Sequence, residues 1–371
     1  MSETVNWTAS FRKNPLPWLL EEQDPAVRHL ALRQLCDLPA EHPEVLRASR
    51  ESMSSDPIAA MLAAQSAEGY WVKPGAGYGP KYTGTVWQLI FLDQLGADPG
   101  HPGIVKGCEY ALSHTQTSTG GFGCSGCLKT PPPPSATIHC LHGNLLRALI
   151  GFGWIGDPRI ARAIDWQARA ITGEGDIRFY QSSTSGPRFR CSVNEHLPCA
   201  WGAVKALGGL ARIPETSRSS LVQRAIETGI EFLLSVDPAT AAYPAGWGNT
   251  KPSKSWFILG FPSGYVADVL QNLEVLCELG HAADPRLQPA VEWILSRQDE
   301  RGRWNNHYAY NRKTTVDIEH QGAASKFVTL RVARVLKAVV SAGGEVREEV
   351  GTGVRREPAR ENASPMTRPD S

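Results

Sequence analysis

One motif, Gln-x-x-x-Gly-x-aromatic, occurs three times in this chain. The copies are Gln65-Ser-Ala-Glu-Gly-Tyr-Trp71, Gln116-Thr-Ser-Thr-Gly-Gly-Phe122 and Gln298-Asp-Glu-Arg-Gly-Arg-Trp304. Each copy follows an amphipathic segment and opens a loop that leads to an apolar segment. Repeats of roughly 50 to 65 residues indicate stacked copies of one supersecondary unit. The motif therefore predicts a fold built from repeated helix pairs.

Hydrophobic periodicity and capping residues predict where the helices lie. A first helix begins at Asp24-Pro25 and runs to about Leu38, and one or two more fill 43–65. Apolar helices are predicted at 84–96, 138–153, 198–211, 263–280 and 325–341. Amphipathic helices are predicted at 102–116, 158–172, 217–236 and 285–298. No segment has the pattern of a β-strand.

The alternation of apolar and amphipathic helices predicts an all-α fold in which an inner ring is wrapped by an outer ring. We expect an α/α toroid of about six inner and five to six outer helices; an open solenoid of helical repeats is the alternative. Residues 1–342 are predicted to form one domain, with an N-terminal helical cap at 15–60 and the repeats at 60–342. The polar segment 343–371 is predicted to be a disordered tail.

Composition excludes several classes of function. The chain has 371 residues, of which 42% are hydrophobic, and a formal net charge of +1. Such a balance gives no electrostatic reason to expect nucleic acid as a partner. No uninterrupted apolar stretch is long enough to span a bilayer, and the first residues lack the apolar region of a signal peptide. We therefore expect a cytoplasmic protein.

The repeated motif and the double ring resemble the terpenoid cyclase and protein prenyltransferase superfamily of α/α toroids. The likeness is greatest to uncharacterised prokaryotic proteins with prenyltransferase/squalene oxidase repeats. Four strings carry it, beginning at His139-Cys140-Leu-His142, Cys199-Ala-Trp201, Phe261-Pro262 and Ser325-Lys326. The resemblance implies a central cavity for an isoprenoid-type hydrophobic substrate.

The chain departs from that superfamily at its catalytic motifs. It lacks the Asp-x-Asp-Asp acid of class II cyclases and the Asp-Asp-x-x-Asp magnesium site of diphosphate-ionising synthases. The nearest sequence to the cyclase acid is Asp317-Ile-Glu319, so Asp317 and Glu319 are the candidate acids, with Glu195, His196, Asp268 and His320 also available in the loops. No nucleotide-binding or serine-hydrolase motif is present. Whether the protein is an enzyme stays open at this point.

Five cysteines between positions 124 and 199 suggest a metal site. They lie in loops that lead to two neighbouring inner helices, and cysteines without export favour metal binding or catalysis over disulfides. Zinc prefers four thiolate or imidazole ligands in a tetrahedron. The predicted zinc ligands are Cys127, Cys140, Cys191 and Cys199, with Cys124 and His196 as alternates. A closed structural site is favoured over an open catalytic one. The alternatives to zinc are another metal or an iron–sulfur cluster, and unpaired loop cysteines.

The N-terminal ends of the inner helices should share one rim of the ring, where anions are favoured. Lys326 is the predicted anion contact there, and Trp87, Trp201 and Tyr265 are predicted to line the cavity. Aromatic faces stabilise cations. The sequence thus supports two functions. One is an enzyme that cyclises or transfers a hydrophobic isoprenoid-like substrate. The other is a non-enzymatic, zinc-stapled scaffold that binds a lipid, peptide or protein partner.

Overall fold

The computed structural model describes residues 6–343; the predicted tail at 343–371 lies, apart from its first residue, outside them. Fourteen α-helices occur in this range. They are α1 Leu16–Leu19, α2 Pro25–Gln34, α3 Pro43–Met53, α4 Ile58–Ala63, α5 Thr85–Gln94, α6 Pro102–His114, α7 His139–Gly151, α8 Pro158–Thr172, α9 Ile177–Tyr180, α10 Ala200–Ala211, α11 Ser220–Leu233, α12 Val269–Glu278, α13 Gln288–Leu295 and α14 Lys326–Ser341. The chain is therefore predominantly helical, as predicted.

The structure contains two short antiparallel pairs of strands, which the sequence pattern did not indicate. β1 Ser185–Gly186 pairs with β2 Arg190–Cys191, and β3 Trp304–Asn305 pairs with β4 Ala324–Ser325. Each strand has two residues, too few for the alternation of apolar and polar side chains that reveals a longer strand. They fasten long loops to the beginnings of helices and do not form a separate layer.

The apolar helices contact one another in chain order. α5 packs on α7, α7 on α10, α10 on α12, α12 on α14, and α14 on α2. The amphipathic helices pack on the apolar helices that precede them: α6 on α5, α8 on α7, α11 on α10 and α13 on α12. Side chains from Phe11 to Val339 belong to one hydrophobic cluster, which lies between the two sets of helices.

Capping residues end and begin the helices where the sequence indicated. Gly96, Gly153 and Gly280 follow apolar helices with positive φ angles of 72°, 87° and 89°. These are left-handed conformations that glycine adopts without strain. Asp157 and Asp284 cap the segments that follow, because each carboxylate accepts a backbone N–H two residues ahead, at 2.7 and 3.0 Å.

The repeated motif joins adjacent units. Trp71, Phe122 and Trp304 are fully buried, as predicted for residues that pack between helices. Each backbone N–H donates to a side chain on the next apolar helix: Thr85 Oγ1, His142 Nδ1 and Thr329 Oγ1, respectively. The motif is therefore a structural connector.

Candidate functional site

A cavity of about 120 Å³ lies where the six apolar helices converge. Every one of these helices contributes to its wall; examples are Leu30 of α2, Asp93 of α5, Arg147 of α7, Lys205 of α10, Glu274 of α12 and Arg331 of α14. We call it the central cavity. Small-molecule sites typically have about 300 to 1,000 Å³. The central cavity is thus too small to enclose a folded polyene.

Ion pairs cross the central cavity. Arg147 holds Glu278 through two hydrogen bonds of 2.7 and 2.8 Å, and Arg334 reaches the same carboxylate at 3.0 Å. Arg331 binds both oxygens of Glu274. Burial alone would raise the pKa of Glu278, but Arg147 lowers it to about 2, so the carboxylate is ionised. An apolar ligand would have to displace these pairs, which is costly in a desolvated site.

A second cavity, of about 100 Å³, adjoins the first at the N-terminal end of α12. We call it the mouth cavity. Tyr82, Tyr308 and Tyr310 form one wall, and Asp268 and Gln271 form part of another. The Tyr82 and Tyr310 rings are 4.4 Å apart, and those of Tyr308 and Tyr310 are 4.6 Å apart. Gln271 and Ser263 line both cavities, so these two residues border both spaces.

Asp268 is the buried carboxyl group of the mouth cavity. It caps α12: Oδ1 accepts the backbone N–H of Gln271 at 2.8 Å, and Oδ2 accepts the side-chain amide at 3.0 Å. Gln271 in turn accepts a hydrogen bond from Lys205 Nζ. Burial raises the pKa of Asp268, while Arg331 lowers it in part. The arrangement places a carboxyl group that can hold a proton beside an aromatic wall.

Three of the predicted zinc ligands, Cys140, Cys191 and Cys199, lie close enough to one another for their charges to interact. Cys140 is at the start of α7, while Cys191 and Cys199 flank one loop, where their mutual hydrogen bond lowers the pKa of Cys191 to about 6. Cys127 is exposed and Cys124 is half-buried. Within residues 6–343, no three His, Cys, Asp or Glu side chains are placed to hold a metal ion. The zinc site therefore stays a prediction from sequence, with metal content per chain as its test.

The imidazoles near these cysteines hold the backbone together. His142 accepts the Phe122 N–H at Nδ1 and contacts the Ala163 carbonyl through Nε2, each at 3.0 Å. His139 bonds the Gly186 carbonyl and the Gln167 amide, also at 3.0 Å. Burial lowers the pKa of His139 to about 4 and that of His142 to about 3. The alternate ligand His196 is exposed, with a φ of 60°.

The two candidate acids do not share one environment. Asp317 is exposed and accepts the backbone N–H of Arg312 at 2.7 Å. Burial raises the pKa of Glu319 to about 7, with a further rise from the charge of Asp24. Neither residue lines the central or the mouth cavity. The structure places their carboxyl groups away from the aromatic wall.

The predicted cavity-lining residues Trp87, Trp201 and Tyr265 line neither the central nor the mouth cavity, and Trp87 and Tyr265 pack near each other instead. Trp87 is buried, lies 5.0 Å from the Tyr82 ring and 6.0 Å from the Tyr265 ring, and donates its indole N–H to the Tyr78 carbonyl. The Trp201 Nε1 atom is buried without a hydrogen-bond partner in the described part of the chain.

Lys326 is not free to bind an anion as predicted. Its ammonium lies 2.8 Å from Glu21 and 2.6 Å from Asp24, and 5.5 Å from the centre of the Trp18 ring. Two carboxylates of the N-terminal segment therefore already neutralise it.

Sequence reasoning did not find the residues of the central cavity. The signal was present, since Glu274 with Glu278, and Arg331 with Arg334, are spaced by four and three residues on otherwise apolar helices. That spacing places each pair on one helix face. Charges on the inner side of an apolar helix predict partners on the helices that face it.

Comparisons with known proteins give distant structural likenesses. No family model matches the chain, and no curated protein matches it. A crystal structure of a protein from Actinoplanes is 17% identical, covering 86% of this chain and 90% of that one, with a TM-score of 0.41. The apo type II terpene cyclase MstE from Scytonema is 14% identical, covering 80% and 99%, with a TM-score of 0.29.

A variant of that cyclase in complex with its substrate, geranylgeranyl dihydroxybenzoate, is 12% identical, covering 80% of this chain and 97% of the variant, with a TM-score of 0.29. Likenesses at this level assign no activity to the chain. No helix within residues 6–343 combines the length and apolar character needed to cross a membrane.

Proposed function

We propose that the chain is an α/α toroid that binds one small hydrophobic group of isoprenoid type in the mouth cavity. The observation that carries this proposal is the meeting of an aromatic wall with a buried carboxyl group in a single cavity. Tyr82, Tyr308 and Tyr310 supply the wall, and Asp268 supplies the carboxyl group. The chain of contacts among six apolar helices supports the ring.

The size of the mouth cavity limits what it binds. At about 100 Å³ it takes a single isoprene unit, since larger ligands occupy roughly 300 Å³ or more. The remainder of a longer ligand would extend outwards past Ile258, which lines the cavity and is 41% exposed. The ligand is thus held by its terminal group, and the ion pairs of the central cavity stay intact.

Asp268 is the proposed acid. Protonating an alkene requires a carboxyl group that keeps its proton near neutral pH, and burial shifts the pKa of Asp268 in that direction. The resulting carbocation would face the tyrosine rings, whose π faces stabilise positive charge by about 0.5 to 2 kcal/mol each. Loss of a proton or addition of water would complete an isomerisation or hydration.

The test uses dimethylallyl alcohol, farnesol and geranylgeraniol as probes, with binding measured by calorimetry and products by mass spectrometry. Asp268→Asn removes the acid and keeps the helix cap, because asparagine caps as well as aspartate. Binding should stay within about twofold of the parent, while turnover should fall by about 100-fold or more, at the lower end of general-acid contributions.

Asp268→Ala is the control that removes both the cap and the acid. It should lose about 1 kcal/mol of stability in addition to activity. Failure of all three alcohols to bind would overturn the proposed ligand. Full turnover by Asp268→Asn would overturn the proposed acid.

A second candidate is a non-enzymatic scaffold, favoured by the ion pairs that fill the central cavity. Arg147, Glu278 and Arg331 occupy the space in which an enclosed substrate would lie. Under this alternative the three alcohols produce no heat of binding and no product, and the protein is isolated from its source with a stable partner bound outside the ring.

A further inference from the structure

Lys205 is a buried lysine that the proposed function does not use. It is on α10, is 6% exposed, and lines the central cavity. Its ammonium nitrogen donates to the side-chain oxygen of Gln271, which also lines the mouth cavity. The amine is therefore hydrogen-bonded to a side chain that borders both cavities.

Lys205 differs from other lysines of the structure in its partners. Lys326 lies within 2.8 Å of Glu21 and closer still to Asp24, and Lys337 is paired with Asp37. Among the residues described, no carboxylate lies within 4.0 Å of Lys205 Nζ. A buried ammonium without an ion pair is costly, so the uncharged amine is favoured.

Charged groups on each neighbouring element act on this amine. Burial lowers the pKa of Lys205 most, Arg331 adds to this effect, and Asp268, Cys140 and Glu274 oppose it, so that the pKa is about 7. An unperturbed lysine has a pKa of about 10.4, so at pH 7 roughly a thousandfold more of Lys205 is uncharged. An uncharged amine is the nucleophilic form.

We propose that Lys205 is a nucleophilic amine that forms a Schiff base with a small aldehyde entering the central cavity. The amine nitrogen forms a bond to the carbonyl carbon, and the carbonyl oxygen takes up a proton to give a carbinolamine. That hydroxyl group then leaves as water as the carbon–nitrogen double bond forms. The overall reaction consumes one amine and one aldehyde and yields one imine and one water, with no oxidant or reductant.

This inference does not depend on the ligand of the mouth cavity. The reacting atom is Lys205 Nζ, which lies in the wall of the central cavity and not in that of the mouth cavity. Either proposal can fail without the other, because one is tested with alcohols and Asp268 variants and the other with an aldehyde and Lys205.

The experiment treats the full-length protein briefly with acetaldehyde and cyanoborohydride, which traps an imine as a stable ethylamine. Peptide mapping then gives the rate at each lysine between pH 6 and pH 10. At pH 7 we expect Lys205 to react on the order of 100-fold faster than surface lysines, with a half-maximal rate near pH 7. Lys326 is the matched buried lysine, and its ion pairs should keep it slow.

Lys205→Met keeps the apolar stem and removes the amine, so it should abolish the fast adduct and leave the slow ones. If this variant does not fold, the pH profile of the parent protein decides the matter by itself. A Lys205 rate equal to that of surface lysines, or no adduct on Lys205 while surface lysines react, overturns the proposal.

Discussion

The side chain of Gln298 hydrogen-bonds the backbone of Lys13, 285 positions earlier in the chain. Its amide donates to the Lys13 carbonyl at 3.1 Å, and its oxygen accepts the Arg12 N–H at 2.9 Å. In the other copies of the motif, Gln65 and Gln116 donate to Gly103 and Arg159, the second residues of α6 and α8. The N-terminal segment therefore makes with Gln298 the contact that α6 and α8 make with Gln65 and Gln116.

Gln298→Ala should weaken this closure. It removes the two part-buried hydrogen bonds to the Arg12 N–H and the Lys13 carbonyl, at a cost of about 0.5 to 1.5 kcal/mol each in the free energy of unfolding. Urea unfolding measures the loss, and Gln116→Ala, which breaks the equivalent contact between α6 and α8, is the control. A loss in the control but none in Gln298→Ala would show that the N-terminal segment does not close the series.

Gly120 should tolerate alanine much less well than Gly153, although both have a positive φ, 98° and 87°. A Cβ at position 120 would lie 2.6 Å from the Arg162 carbonyl oxygen, whereas one at position 153 meets nothing within 4 Å. Gly153→Ala should cost about 1 to 2 kcal/mol for the left-handed backbone alone. Gly120→Ala should lower the free energy of unfolding by at least about 1 kcal/mol more than Gly153→Ala does. Thermal unfolding of the two variants measures this difference.

Acid should destabilise the fold through His142. Its folded pKa of about 3 is below the unfolded value of about 6.5, so the unfolded chain takes up a proton first. The contribution of neutral His142 to the free energy of unfolding is fully present above about pH 6.5. Below that value it falls by about 1.4 kcal/mol per pH unit.

His142→Gln keeps one acceptor and one donor but cannot titrate. The stability difference between parent and variant should therefore shrink as the pH falls from 7 to 5, as measured by urea unfolding at each pH. Buried carboxyl groups such as Glu319 contribute with the opposite sign in both proteins and cancel in the comparison. A difference that does not change with pH would contradict the assignment.

Glu278→Gln should destabilise the fold strongly. Arg147 and Arg334 would lose their shared charge partner, and breaking a buried pair costs about 3 to 5 kcal/mol. Because about a quarter of each side chain of the Arg147–Glu278 pair is exposed, we expect about 2 to 4 kcal/mol. The double variant Arg147→Met, Glu278→Met should recover at least half of that loss in denaturant unfolding. Additive losses would mean that the pair is not coupled.

The sequence by itself determined the helices and the connections between them. The Gln-x-x-x-Gly-x-aromatic motif, the Asp-Pro starts and the glycine ends depend on local backbone geometry, which neighbouring residues dictate. The predicted helices agree with the structure to within a few residues at most ends, and Trp71, Phe122 and Trp304 are buried as expected.

Only the tertiary structure decided which side chains the apolar helices bring together. Arg147 and Glu278 are 131 positions apart, and Lys205 and Gln271 are 66 apart, so no local pattern shows that they meet. The same limit applies to Asp317 and Glu319, which are two positions apart in sequence but lie in different surroundings. Periodicity reveals which face of a helix is inward, but the chemistry of a cavity depends on which side chains several helices bring to the same point.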